Sequence, residues 1–230
     1  YRTNVLWAGD VLSESETTLQ AYIKQQTNNS YATSIIGKWH LSGANAAINP
    51  EDRGIDYYAG IFSGGVNSYD SWALAESGST ATETTYSTEK LTSLAIDWVD
   101  DQTKPWFLWL AYNAPHTPFH LPPNEMHSQG NLPNTDAAIV SNPLPYYMAM
   151  IEAMDYQIGR LLESMTAEER SNTVIIFIGD NGTPNRVVQA PYSPSTAKGS
   201  IYQGGVNTPM YISGNGVSRI GEEDALINST

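Results

Sequence analysis

The stretch PWFLWLAYNAPHTP, residues 105–118, is a near-continuous apolar run from Trp106 to Tyr112 that breaks abruptly into polar residues and prolines. Such a run after Pro105 is the pattern of a parallel strand covered on both faces. His116 stands just beyond that strand, with Pro115 and Pro118 restricting the backbone on either side. A stiffly mounted imidazole at a strand's C-terminal end suits a general acid, although a turn histidine satisfied by nearby carbonyls has the same sequence.

Working outward, Leu91, Leu94, Ala95, Trp98 and Val99 form an apolar stripe that predicts a helix over Ser87–Asp100. Leu19, Tyr22 and Ile23 predict a capped amphipathic helix over Ser15–Gln26, followed by a strand over 33–37. Downstream, Tyr147, Met150, Ile151, Met154, Ile158, Leu161, Leu162 and Met165 predict a long helix, and 173–178 a third strand. The order βαβαβ predicts an α/β fold with a mostly parallel sheet flanked by helices on both faces, whose ligands gather at the C-terminal strand ends. The proline-rich segment after residue 113 reads as a functional lid, and Ser63–Thr85, rich in Gly, Ser and Thr, as a surface excursion. Gly214, Gly216 and Gly221 fall at the wrong spacing for a dinucleotide loop.

The totals exclude several classes. Lys and Arg number 11 against 24 Asp and Glu, a net charge of −13, which repels a phosphate backbone and makes nucleic acid a poor partner. There is no cysteine, hence no disulfide, thiolate metal site or cysteine nucleophile in these residues. No apolar run approaches the ~20 residues of a membrane span. No signal peptide opens the sequence, and Tyr1 is not an initiator, so the native start is expected upstream.

Three further segments carry chemistry-bearing residues. Gly37-Lys38-Trp39-His40 closes the first strand, and an extended backbone there would turn Lys38 and His40 to one face and Trp39 to the other. Asp180-Asn181-Gly182 follows the third strand, offering a carboxylate and an amide oxygen as hard ligands, or simply a turn. Lys198 sits in the Gly-flanked KGSIYQGG segment, where it can meet an anion or solvent. His120 and His127 read as structural or solvent-facing. The glycosylation sequons at Asn28, Asn181 and Asn228 carry little weight.

Taken in order, GKWHL (37–41), AYNAPHTP (111–118), GDNG (179–182) and Lys198-Gly199 with Tyr202 and Gly204-Gly205 resemble the sulfatase family. Weaker echoes lie at Glu152-Ala153-Met154-Asp155, at Gly159-Arg160-Leu161-Leu162 and in Ala225–Thr230. The resemblance covers nearly the whole chain. It implies an alkaline-phosphatase-like fold and a sulfuric ester hydrolase acting on a sugar or aryl sulfate. Lys38, His40, His116 and Lys198 would be catalytic, with Lys38, His116 and Lys198 binding substrate and Asp180 and Asn181 holding a divalent cation, Ca²⁺ or alternatively Mg²⁺. It also implies a formylglycine made from Cys or Ser in a Cys/Ser-x-Pro-x-Arg motif, which is absent here. Tyr1–Val5 resembles the stretch that follows that motif. The chain is therefore expected to be a partial catalytic domain, 1–230, truncated at both ends and inactive alone. Periplasmic or extracellular location follows from the same resemblance, and the implied partner is a sulfated small molecule or glycan. Gln203 and Asn207 depart from the family pattern, which commonly has Glu and Arg. Two other readings stand beside this one: a phosphonate or phosphate monoester hydrolase of the same superfamily, and an inactive module that binds sulfated glycans.

Overall fold

The structure is a computed structural model and describes residues 11–42 and 48–223. The stretch Tyr1–Val5, the echo at Ala225–Thr230 and the Asn228 sequon lie outside these residues. The chain divides into two compact units, one up to Ser164 and one from Met165.

The first unit is built on five strands in the order β4-β3-β2-β1-β5. These are β1 (Ala32–Lys38), β2 (Tyr57–Ile61), β3 (Trp72–Glu76), β4 (Ser79–Glu83) and β5 (Trp106–Ala111). The α/β class read from the sequence is observed in the form of a mixed sheet. β2, β1 and β5 run parallel, whereas β3 and β4 are antiparallel. Helix α2 (Ser87–Asp100) follows its predicted bounds, buries every residue of its predicted stripe, and packs on β1, β2 and β5. Its outer side is covered by α4 (Leu144–Ser164), joined by a hydrogen bond from Arg160 Nη2 to Ser93 Oγ at 2.9 Å. The short α3 (Asp136–Ser141), capped by Thr135, lies between them in sequence.

Helix α1 (Leu19–Gln26) is capped by Thr18 and packs on β1. Its predicted stripe is rotated: Leu19 and Tyr22 are exposed and Gln20 is buried. In a helix this short, docking geometry overrides the apolar pattern. A second apolar cluster gathers Leu12, Ile35, Trp39, Ile55, Tyr58 and Ala75.

Two expectations are corrected. The segment 63–85 is no mere excursion, because β3 and β4 form a hairpin in it. Ser77 and Gly78 both adopt positive φ at its turn, the backbone twist that matches two-residue hairpins. Second, among the described residues β5 is the edge strand of this sheet rather than an interior one, and its Trp109 is 44% exposed. The strand expected over 173–178 is observed over Val174–Ile178.

That strand, β6 (Val174–Ile178), belongs to the second unit and pairs antiparallel with β7 (Met210–Gly214). The unit also holds α5 (Ala167–Asn172), whose Thr166 and Glu169 form a reciprocal capping box, and the single turn α6 (Gln203–Val206). Among the described residues, no helix is long and apolar enough to cross a membrane.

Candidate active site

Parallel pairing places the C-terminal ends of three strands at one sheet edge. Lys38 of β1 is in register with Ile61 of β2, and Gly37 with Ala111 of β5. The segments leaving that edge are therefore neighbours: Trp39-His40, Phe62–Gly65 and Tyr112–His116. Glycine is required where the backbones crowd. A Cβ on Gly37, whose φ is 115°, would lie 2.0 Å from the Ala111 carbonyl oxygen. Only a residue without a side chain satisfies both the conformation and the space.

Beyond the strand, the main-chain ladder continues for two residues, with Trp39 N donating to Ile61 O at 3.0 Å and His40 N to Phe62 O at 3.1 Å. Trp39 is buried in the apolar cluster, edge-on to Tyr58, and its indole N–H donates to Ser42 Oγ at 2.7 Å. His40 does not share an extended strand with Lys38, as the alternation suggested. Its φ is 56°, in the left-handed region, so the chain turns there and delivers the imidazole by a bend rather than by strand periodicity. The turn still leaves Lys38 and His116 close enough to act electrostatically on His40. Desolvation foremost, and then these two neighbours, hold the His40 pKa below its ordinary value.

His116 is carried by a tight turn, its N–H donating to Asn113 O at 2.8 Å. Its Nδ1 lies 2.9 Å from the Thr117 carbonyl oxygen. A carbonyl can only accept, so Nδ1 bears hydrogen in the neutral ring and Nε2 is the atom that takes up or releases a proton. At the base of the turn, the Tyr112 hydroxyl bonds Thr92 Oγ1 at 2.7 Å, anchoring β5's end to α2. Asn113 is 4% exposed, yet neither its Oδ1 nor its Nδ2 finds a partner among the described residues. His120 is a supporting group, stacked on Tyr69 at 4.1 Å, with Nε2 bonded to the Tyr86 hydroxyl at 3.1 Å. His127 Nδ1 accepts from Gln129 N at 3.2 Å. Glu152 accepts from the Ser128 backbone N–H and from the Gln129 side-chain Nε2, tying the proline-rich segment to α4.

The second unit assembles the other two motifs. Gly182 N donates to Gly205 O at 3.0 Å, and a Cβ on Gly182 would meet Gly204 O at 2.0 Å. Lys198 N donates to Thr183 O at 2.9 Å. The Asp180-Asn181-Gly182 turn, Lys198 and the Gly204-Gly205 turn are thus one packed cluster. Asp180 is exposed, and Asn181 and Lys198 are half-buried. Gln203 and Asn207 are exposed on α6 and at its end. Asp180 and Asn181 offer hard oxygens, the donor chemistry that suits Ca²⁺, but a Ca²⁺ takes about 6–8 of them. Among the described residues, no group of three His, Cys, Asp or Glu gathers to complete such a set.

Sequence reasoning missed Gly64, Gly65 and Tyr69. A Cβ on Gly64 would lie 2.5 Å from His40 Cε1, one on Gly65 3.2 Å from His116 Nδ1, and Tyr69 Oη donates to His116 O at 2.9 Å. Their signal is a Gly-Gly pair directly after the apolar run Tyr57–Phe62, hidden by the loop-like composition that follows.

The family model for sulfatases matches residues 2–230. An uncharacterized sulfatase of Escherichia coli (strain K12), YdeN, is 31% identical over 233 residues, which cover 88% of this chain and 40% of that protein. The arylsulfatase of Klebsiella aerogenes is 27% identical over 288 residues, 85% of this chain and 62% of that one. Among solved structures, Ps i-CgsB superposes with a TM-score of 0.74 at 27% identity, over 90% of this chain and 49% of that one. A second structure of that protein is a complex with k-i-k-neocarrahexaose, 29% identical to this chain with a TM-score of 0.67. The chain thus spans 40% and 62% of the length of these two curated relatives.

Proposed function

The chain belongs to the sulfatase family, with the alkaline-phosphatase-like fold of its structural neighbours, and from that premise we propose that the protein hydrolyses the sulfate ester of a sugar or aryl alcohol. The observation that carries the reading is the grouping of Lys38, His40 and His116 at one sheet edge, with both other groups acting electrostatically on His40. A cation beside two imidazoles at the strand ends equips that edge for an anionic ester.

The reaction is ester plus water giving alcohol plus hydrogen sulfate. The S–O bond to the alcohol breaks as a new S–O bond forms to the incoming oxygen nucleophile, and the leaving oxygen, departing with the electron pair, takes a proton from His116 Nε2. Charge spreads over the three remaining sulfate oxygens, so fixed cations contribute most; that is the role assigned to Lys38 and Lys198. His40, whose pKa is lowered foremost by burial, accepts a proton and assists release of sulfate. Asp180 and Asn181 are assigned to a Ca²⁺, which when bound would neutralise sulfate oxygens. The formylglycine that supplies the nucleophile has no parent motif in these 230 residues, and the proposal places it outside them.

A sulfated oligosaccharide is the favoured substrate, supported by the complex of Ps i-CgsB with a neocarrahexaose. A polymeric sulfated glycan does not cross membranes, so action in the periplasm or outside the cell belongs to the same proposal. Peptide mapping of the protein with its native termini tests the chemistry: a formylglycine residue is expected, and an unmodified Ser or Thr nucleophile would favour a phosphoryl hydrolase.

A further inference from the structure

Residues 62–71, the connection between β2 and β3, make three separate contacts with the two imidazole-bearing segments. Gly64 lies so close over the His40 ring that a Cβ there would sit 2.5, 2.9 and 3.0 Å from Cε1, Nδ1 and Nε2. On Gly65 it would lie 3.2 Å from His116 Nδ1. Tyr69 reaches 47 residues along the chain to donate its hydroxyl hydrogen to the His116 carbonyl at 2.9 Å.

The connection is itself held. Ser63 Oγ donates to Gly65 O at 2.9 Å, Ser87 N at the start of α2 donates to Tyr69 O at 2.8 Å, and the Tyr69 ring is buried against His120 and Tyr86. We infer that this connection is the positioning element of both imidazoles: Gly64 backs His40, Gly65 backs His116, and Tyr69 holds the main chain that carries His116. Two adjacent glycines suit that task because each presents bare backbone to a ring: a Cβ at 64 would displace the His40 ring, and one at 65 would crowd His116 Nδ1. The inference rests on the reading of His40 and His116 as the reacting groups.

The test uses the protein with its native termini and the variants Gly64→Ala and Tyr69→Phe. The ring Cε1–H resonances of the four histidines are followed by NMR beside kcat and KM for one aryl and one alkyl sulfate. Gly64→Ala is expected to move the His40 resonance and lower kcat on the order of 10²-fold, the scale of an ångström's misplacement. Tyr69→Phe, which keeps the stacked ring and loses only the hydroxyl, is expected to move the His116 resonance and lower kcat by up to about tenfold. That loss should be larger for the alkyl ester, with KM little changed and His127 unmoved in both variants. Unmoved His40 and His116 resonances overturn the inference. Moved resonances with unchanged turnover uphold the positioning and overturn the chemical role of the imidazoles. Tyr69→Phe removes no packing, so it tests the positioning of His116 even if Gly64→Ala fails to fold.

Discussion

The Lys198 amide donates to the Thr183 carbonyl at 2.9 Å, which fixes the lysine's main chain beside the Asp180-Asn181-Gly182 turn. That bond belongs to the backbone and survives truncation of the side chain. In the protein with its native termini, Lys198→Ala is therefore expected to lower kcat about 10²–10³-fold, the typical cost of losing one preorganised partner of transition-state charge. The melting temperature should stay within a few degrees. Steady-state kinetics beside thermal denaturation measure both, and an unchanged rate removes Lys198 from the site.

His116 has Nδ1 committed to the Thr117 carbonyl, leaving Nε2 to carry the proton. His116→Gln should cost about 10²–10⁴ in kcat for an alkyl sulfate, whose poor leaving group needs a proton. The loss should be much smaller for p-nitrophenyl sulfate, whose phenolate leaves unaided. Equal losses on both esters would show that His116 does not act as the acid.

Asn113 is buried with both amide atoms unpartnered among the described residues. An unsatisfied buried polar group costs about 1–3 kcal/mol, and replacing it with an apolar group of similar shape relieves that cost. Asn113→Leu should then raise the urea midpoint while lowering turnover, the pattern of a group kept for function rather than for the fold. A destabilised variant would mean that the amide is satisfied in the assembled protein.

Acid should weaken the fold through two histidines. Burial foremost holds both His40 and His120 below their ordinary value of 6.5, so the unfolded chain binds protons there more readily than the folded one. Stability therefore falls as pH drops through 6.5, and that loss grows until the folded-state values are reached. His120 makes the point structurally. Its Nδ1 faces the Pro118 carbonyl at 3.1 Å and must donate, leaving Nε2 to accept from Tyr86 only while the ring is neutral. Urea denaturation between pH 7.5 and 5.5 should show the slope, and His120→Gln should flatten it. A pH-independent midpoint would contradict the assignment.

Much of this was legible in the sequence. The α2 stripe gave its helix because it repeats one period over enough residues to outweigh local noise, and β5 was legible as an unbroken apolar run. Each of the four ordered motifs sits where a strand ends or a turn packs, and the structure joins them pairwise within its two units. What could not be read was anything set by pairing rather than by composition. The β3–β4 hairpin hid in a Gly-, Ser- and Thr-rich stretch whose strand character comes from cross-strand contacts. His40 gave no sign of its left-handed turn. Gly64, Gly65 and Tyr69 carry no chemistry of their own, and they matter only because β2 lies beside β1 in the sheet.

Hydrolysis of a sulfate ester is the activity proposed for these residues. The most direct measurement is ion chromatography of the inorganic anion released by the protein with its native termini from matched sulfate and phosphate monoesters and from a sulfated oligosaccharide, alongside His116→Gln. Sulfate release in clear excess over phosphate is expected, with release from the oligosaccharide lost in His116→Gln. Phosphate release without sulfate release, or sulfate release indifferent to His116→Gln, would contradict it.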